Sequence, residues 1–124
     1  MQFIINERDN NGLETVNLTW YGGEPLLQPQ RIVSLSKRIR GLCLQINENL
    51  LITNGYFFTQ DTVKELYESG ITNVQITLDG FKDVHDQRRP LANGKGTFDT
   101  IIHNLDRHFS GEYKDKFTFS IRVR

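Results

Sequence analysis

Four short apolar segments, separated by segments with helical spacing, constrain the fold more than any other feature of the sequence. Apolar residues alternate with polar ones over residues 16–20, 74–78 and 117–123, as in strands that have one buried face. Residues 50–52 form a short, continuous apolar run that ends at a turn-forming Thr-Asn-Gly. These segments predict four β-strands.

Helical patterns occupy the intervals between the strands. Pro29 suits the first turn of one helix, because its missing N–H would have no partner there. Thr59 can cap a second helix, which Gly70 would end in a left-handed conformation. Thr97 can cap a third helix. The apolar residues 3–5 are expected to end an earlier helix.

The order of these elements predicts an α/β fold with a parallel βαβαβαβ segment. Strands joined by helices run parallel, because each crossover returns the chain to the same end of the sheet. Four such units are about half of an eight-stranded (β/α) barrel, and the pattern alone leaves barrel and open sheet undecided. Because no linker or low-complexity tract interrupts the pattern, residues 1–124 are expected to form one unit without an internal boundary.

The composition excludes several classes of function. Fifteen Lys and Arg balance fifteen Asp and Glu, so no overall field draws the chain to nucleic acid or to a membrane surface. A single cysteine excludes an internal disulfide and an all-cysteine metal site within one copy of the chain. No apolar run approaches the ~20 residues that span a bilayer, and no secretory signal pattern is present. A cytoplasmic protein is expected.

Polar residues and glycines follow three of the predicted strands. Residues 22–25, Gly-Gly-Glu-Pro, follow the first strand, Asn54 and Gly55 follow the second, and Thr77 and Asp79 lie at the end of the third. The carboxyl ends of parallel strands meet at one edge, where such folds bind ligands. The glycines allow a tight turn with open backbone groups, and the carboxylate would favour a ligand ammonium group. These residues are therefore expected to converge on one rim.

The order of the motifs is more specific than any one of them. Gly-Gly-Glu-Pro at 22–25 precedes Ile-Thr-Asn-Gly at 52–55 and Gln-Ile-Thr-Leu-Asp-Gly at 75–80. His-Asp-Gln-Arg-Arg-Pro at 85–90 and Gly-Lys-Gly-Thr-Phe-Asp at 94–99 follow. This series resembles the radical S-adenosylmethionine (SAM) enzymes. Within them it resembles the subgroup of anaerobic sulfatase-maturating enzymes and peptide maturases that carry a C-terminal SPASM or related domain.

The resemblance runs from about Ile5 to about Phe119 and implies a fold, cofactors and a reaction. The family fold is a partial (β/α)6 barrel, in which the predicted strands would be the second to fifth. The cofactors implied for the intact enzyme are SAM and a 4Fe-4S cluster. The implied oxidoreductase would cleave SAM reductively, generate a 5′-deoxyadenosyl radical and abstract hydrogen from a peptide or protein substrate.

The resemblance also implies a set of SAM-binding residues. In the family, the Gly-Gly-Glu-Pro segment holds the SAM amino group, and an arginine in the position of Arg89 is a bidentate partner for its carboxylate. Asn54 would lie near the methionine moiety, and Asp79 would organise the site. Thr77 stands where the family has serine, so the hydroxyl is kept and a methyl is added. The implied residues are Gly22, Gly23, Glu24, Pro25, Asn54, Thr77, Asp79 and Arg89.

The remaining reactive side chains have plainer interpretations. His103 and His108 are expected to face solvent on or near the third helix, and His85 to structure a loop. Trp20 fits core or rim packing at least as well as ligand contact. Cys43 has no cysteine partner in the chain and is interpreted as a buried or incidental thiol.

The family's cluster motif, Cys-x3-Cys-x2-Cys, does not occur in this sequence. We therefore expect a segment of a larger enzyme, inactive by itself, whose open sheet edges favour self-association. Two alternatives remain open at this point. The chain could be a non-catalytic binding module related to the radical SAM enzymes, or a small flavodoxin-like α/β protein with another ligand.

Overall fold

A five-stranded sheet with the order β1-β2-β3-β4-β5 organises the part of the chain that the computed structural model describes, residues 2–10, 13–42, 45–78 and 96–123. Its strands are β1 (Gln2–Asn10), β2 (Leu13–Tyr21), β3 (Gln45–Thr53), β4 (Asn73–Leu78) and β5 (Thr118–Val123). The helices are α1 (Pro29–Arg40), α2 (Gln60–Glu68) and α3 (Phe98–Phe109), and a 3-10 turn, Pro25–Leu27, precedes α1.

Strands β2 to β5 are parallel, and α1, α2 and α3 lie in the three intervals between them. The register places Trp20 beside Leu51, and Leu51 beside Val74. The predicted α/β segment with a parallel βαβαβαβ order is therefore confirmed. All carboxyl ends of these four strands lie at the same edge of the sheet.

The N-terminal segment corrects one prediction. Residues 3–5 do not end a helix but lie in β1, which pairs with β2 in an antiparallel register that joins Ile5 to Leu18. A short apolar run fits a buried helix end and a strand equally well, so periodicity could not decide between them. The Asn11-Gly12 dipeptide between the two strands is a strong hairpin signal, and it favours the strand.

One hydrophobic cluster connects the sheet to its helices. Trp20 is fully buried in it, and its Nε1 donates to Oδ1 of the equally buried Asn49 at 2.6 Å. Trp20 is therefore a core residue, as its plainer interpretation predicts. The cluster includes Val16, Leu18, Leu51, Val74 and Ile76 from the strands, and Ile32, Leu66 and Ile101 from the helices.

The helix ends follow the local signals in most respects. Pro29 is the first residue of α1, and the Thr59 hydroxyl accepts a hydrogen bond from the backbone N–H of Thr62 in α2. Gly70, two residues after the last residue of α2, has φ +94°, as predicted. Thr97 precedes α3, but its side chain makes no capping hydrogen bond. None of the helices among the described residues has the length and hydropathy of a transmembrane span.

Candidate functional site

The carboxyl ends of β2, β3 and β4 surround a pocket of about 320 Å³. The three groups of residues expected at one rim therefore meet there, as far as the described ranges extend. Thr53 and Ile52 join them, although neither belongs to the predicted set. The lining residues are Gly22, Gly23, Glu24, Ile52, Thr53, Asn54 and Thr77.

The exit from β2 owes its shape to two glycines. Gly22 has φ +76° and Gly23 has φ +57°. This left-handed conformation is unfavourable for any residue that has a Cβ atom. Pro25 is buried and begins the 3-10 turn that follows. The chain therefore turns sharply at the mouth of the pocket and brings the backbone of both glycines against it.

The Glu24 carboxylate ties the β2 exit to the end of β3. Its Oε2 accepts hydrogen bonds from the Leu26 N–H at 2.8 Å and from the Thr53 hydroxyl at 2.7 Å. Its Oε1 accepts the N–H of Asn54 at 2.8 Å. The carboxylate thus caps the 3-10 turn and joins two strand ends. Its negative charge lies at the pocket wall.

The exit from β3 is a tight turn at Asn54 and Gly55. The Asn54 Oδ1 accepts the N–H of Tyr56 at 2.9 Å, which closes an Asx turn. Gly55 has φ +81°, and a Cβ at this position would lie 3.1 Å from Ile101 and 3.2 Å from Ile76. The turn therefore requires glycine both for its conformation and for its close packing.

Thr77 is the pocket residue of β4, and it is 6% exposed. It directly follows Ile76, which pairs with Thr53 at the end of β3. A buried hydroxyl at a pocket wall can donate one hydrogen bond and accept others. Thr77 therefore offers a ligand both kinds of contact.

Asp79 and Arg89, the last two residues of the implied SAM-binding set, lie outside the described residues. The same holds for His85 and Cys43. The roles expected for Asp79 and Arg89 stay predictions. Five of the other six members line the pocket, and the sixth, Pro25, follows Glu24 in the chain without lining it.

The expectation for His108 is wrong, whereas His103 is exposed as predicted. His108 is 1% exposed and lies among phenylalanine rings, with the ring centre of Phe119 at 5.3 Å and that of Phe58 at 5.1 Å. It continues the buried stripe of α3, seven residues after Ile101. Burial lowers the pKa of His108 below its ordinary value.

Sequence reasoning missed Asn104, a residue that shapes the pocket from outside it. Asn104 lies on the buried face of α3, and its Nδ2 donates to the backbone carbonyls of Gly55 and Tyr56. The signal was present, because Asn104 falls on the stripe formed by Ile101, Leu105 and His108. A polar residue on an apolar helical face needs a hydrogen-bond partner.

Metal ligands are not assembled by this part of the chain. Among the described residues, no group of three or more His, Cys, Asp or Glu side chains is placed to hold a metal ion. The complete sequence contains one cysteine. The chain therefore does not supply the three thiolates of a 4Fe-4S cluster.

Comparison with known proteins identifies the family. The model of the radical SAM superfamily matches residues 4–119. Together with the parallel sheet and the pocket at its carboxyl edge, this match shows that the chain belongs to the radical SAM superfamily. The unrelated flavodoxin-like alternative is thereby excluded.

Two curated relatives show which members of the superfamily this chain is similar to. The GTP 3′,8-cyclase of Clostridium perfringens is 34% identical over 113 residues, which are 91% of this chain and 32% of the relative. The cysteine-type anaerobic sulfatase-maturating enzyme of Clostridium novyi is 28% identical over 109 residues, which are 85% of this chain and 29% of the relative. The chain thus spans about a third of the length of these curated relatives.

Solved structures show the same architecture. Native anSMEcpe with bound AdoMet has a TM-score of 0.63 and 28% identity, and the match covers 85% of this chain and 28% of that chain. The form with bound AdoMet and the Cp18Cys peptide has a TM-score of 0.67 and 28% identity, and the match covers 85% of this chain and 29% of that chain. The predicted fold, a partial barrel of the radical SAM type, is confirmed.

Proposed function

We propose that this chain supplies the SAM-binding strand ends of a radical SAM enzyme that acts on a peptide or protein. The observation that carries the proposal is the pocket of about 320 Å³ at which three motif-bearing strand ends meet. Membership of the superfamily and the resemblance to AdoMet-bound structures support SAM as its ligand.

The lining residues suit the polar groups of SAM. The methionine part of SAM carries an ammonium and a carboxylate group. The ammonium group would lie near the open backbone at Gly22 and Gly23, beside the negative charge of Glu24. The Thr77 hydroxyl would lie near the SAM carboxylate or ribose, and the Asn54 amide would lie near the methionine part. Pro25 would fix the turn, while Asp79 and Arg89 complete the proposed set.

The intact enzyme would also need a 4Fe-4S cluster, which supplies the electron for SAM cleavage in this family. With a single cysteine, this chain cannot hold that cluster. Its own residues would bind SAM and orient it. The prediction that the 124-residue chain is inactive by itself follows from this division of roles.

The proposed substrate class rests on the relatives. Cysteine-type and serine-type anaerobic sulfatase-maturating enzymes match this chain, and anSMEcpe matches it in a form with bound peptide. A second candidate is a nucleotide substrate, because the GTP 3′,8-cyclase of Clostridium perfringens also matches. The cytoplasmic location and the absence of nucleic-acid and membrane partners stay predictions.

The test uses a pair of variants at Thr77 in the full-length protein that contains this chain. Thr77→Val keeps the shape of the side chain and removes the hydroxyl, whereas Thr77→Ser keeps the hydroxyl. We expect Thr77→Val to weaken SAM binding about ten-fold, the effect of one lost hydrogen bond, and Thr77→Ser to bind as the parent does. Isothermal titration calorimetry under anaerobic conditions measures the affinity.

Catalysis is tested on the same protein after anaerobic loading with iron and sulfide, with a low-potential chemical reductant added to supply the electron for SAM cleavage. We expect 5′-deoxyadenosine to form, and a cysteine- or serine-containing peptide to increase its yield. An increase with GTP instead would favour the nucleotide substrate. SAM binding without any 5′-deoxyadenosine would favour the alternative of a non-catalytic binding module, and absence of SAM binding would overturn the proposal.

A further inference from the structure

One side chain of α3 holds the turn that carries Asn54. The Nδ2 atom of Asn104 donates to the Gly55 carbonyl at 3.0 Å and to the Tyr56 carbonyl at 2.7 Å. Asn104 is 7% exposed, so water does not readily replace it as the donor. An asparagine amide has two N–H groups, and both successive carbonyls of the turn receive one.

These two hydrogen bonds orient the turn as well as attach it. Peptide units are planar, so directing the carbonyls of Gly55 and Tyr56 toward α3 also fixes the direction of the amide groups in the same planes. One of them, the Tyr56 N–H, donates to Oδ1 of Asn54 at 2.9 Å. The orientation of the Asn54 amide at the pocket wall therefore depends on the orientation of the turn.

The turn is attached to the pocket from its other side as well. The Gly55 N–H donates to the Thr53 hydroxyl at 3.2 Å, and that hydroxyl donates to the Glu24 carboxylate at 2.7 Å. A continuous series of hydrogen bonds thus runs from Asn104 on α3 to the Gly-Gly-Glu-Pro turn. In such a series, the position of each group depends on the hydrogen bonds of its neighbours, so the loss of one member affects the others.

We infer that Asn104 is a positioning residue for the SAM site, acting through the turn at residues 54–56 and touching no ligand itself. This inference rests on the proposed function, because the ligand that the turn serves is SAM. Without the two hydrogen bonds, the turn samples other orientations. Ordering the turn on binding then costs free energy, which weakens the affinity for SAM. Asn104 thereby couples the packing of α3 to the affinity of the pocket.

A matched control distinguishes positioning from general stability. Asn49 is also a buried asparagine whose Nδ2 donates to a backbone carbonyl, that of Gly70 at 3.2 Å. It lies four residues before Thr53 on β3, roughly 13 Å from the pocket edge of the strand. The Asn49 side chain forms hydrogen bonds with Trp20 and Gly70 but with none of residues 54–56, so we expect its substitution to lower stability without loosening the turn.

The experiment compares Asn104→Ala and Asn104→Asp with Asn49→Ala and Asn49→Asp in the full-length protein. The Asp variants place a carboxylate, which cannot donate, against carbonyl oxygens, and the Ala variants remove the donor without adding charge. Two quantities are measured: amide hydrogen exchange at residues 54–56, and the dissociation constant for SAM. If an Asp variant does not fold, the Ala variant at the same position provides the comparison.

We expect the Asn104 variants to raise amide exchange at residues 54–56 and to weaken SAM binding about ten-fold, the effect of the lost hydrogen bonds. The Asn49 variants should lower the melting temperature and leave both quantities unchanged. Unchanged exchange and affinity in the Asn104 variants, or equal losses in both sets, would overturn the inference. If the parent binds no SAM, the proposed function fails, and exchange at the turn still reports whether Asn104 holds it.

Discussion

Glu24 and His108 show how differently the fold treats two polar side chains. The Glu24 carboxylate accepts three hydrogen bonds, from Leu26, Thr53 and Asn54, and hydrogen bonds to a charged group contribute about 1.5–3 kcal/mol each. Neither ring nitrogen of His108 has a hydrogen-bond partner among the described residues. The first residue stabilises the site, whereas the second costs free energy that its ring packing must offset.

His108 gives the fold a dependence on pH. Burial lowers its pKa from 6.5, so the unfolded chain binds this proton more readily than the folded chain does. Its contribution to stability is fully present above pH 6.5 and is lost as the pH falls from there toward the folded pKa. We expect the free energy of unfolding, measured by urea denaturation, to decrease between about pH 7 and about pH 5.

Substitution identifies the residue responsible for this loss. His108→Leu should reduce the change in unfolding free energy over that pH range. His103→Leu removes an exposed histidine of the same helix and should leave the change as it is. An equal pH dependence in the parent and in His108→Leu would show that other groups cause it.

At the scale of elements, the ends of the helices follow from local chemistry. After α2, the Ile71 N–H donates to the Leu66 carbonyl and the Gly70 N–H donates to the Tyr67 carbonyl, both at 3.1 Å. These are the two hydrogen bonds of a Schellman motif, with Gly70 in the left-handed position and the buried side chains of Ile71 and Leu66 beside it. A glycine at that position was therefore readable from the sequence.

Gly70 and Gly41 both follow helices but differ in φ, so alanine substitutions at the two positions test the energetic effect of a positive φ. Gly70→Ala should lower the free energy of unfolding by about 1–2 kcal/mol, because φ +94° is unfavourable for a residue with a Cβ. Gly41 follows α1 with φ −68°, and a Cβ there would lie at an ordinary 3.4 Å from the Arg38 carbonyl oxygen. Gly41→Ala should therefore leave stability unchanged or raise it slightly. Equal effects in denaturant titrations would contradict this assignment.

Local signals predicted less about β1 and α3. The apolar residues 3–5 lie in β1 because pairing with the neighbouring strand β2 satisfies their backbone groups, and a short apolar run does not by itself distinguish a strand from a helix end. His108 and Asn104 lie on the buried face of α3 because the Phe58 ring and the turn at Gly55 lie opposite them. The partners of Asn104 and His108 lie far from α3 in sequence, so the helical pattern alone could not identify them.

At the scale of the whole molecule, the described sheet has two edge strands, β1 and β5. On β5, Ile121 is 46% exposed and Val123 is 63% exposed. An edge strand with exposed apolar side chains and unpaired backbone groups is a template for another strand. The predicted self-association of the 124-residue chain would use this edge.

A charge on the edge tests that prediction. Sedimentation velocity of the 124-residue chain should show association that increases with concentration, and Ile121→Lys should reduce it, because lysine blocks strand addition. Leu42→Lys, at a position 66% exposed and outside the strands, should not. A parent chain that stays monomeric at all concentrations, or equal effects of both variants, would contradict the use of β5.

Local patterns in the amino-acid sequence were enough to predict β2 to β5 with the helices between them, the motifs at the strand ends and the resemblance to the radical SAM family. These follow from periodicity and turn chemistry, which act over a few residues. The packing of the folded chain was needed to show that His108 is buried, and that Glu24, Thr53 and Asn104 form one hydrogen-bonded series around the pocket. Burial and hydrogen-bond partners of this kind depend on which distant segments pack together, and no pattern within a few residues contains that information.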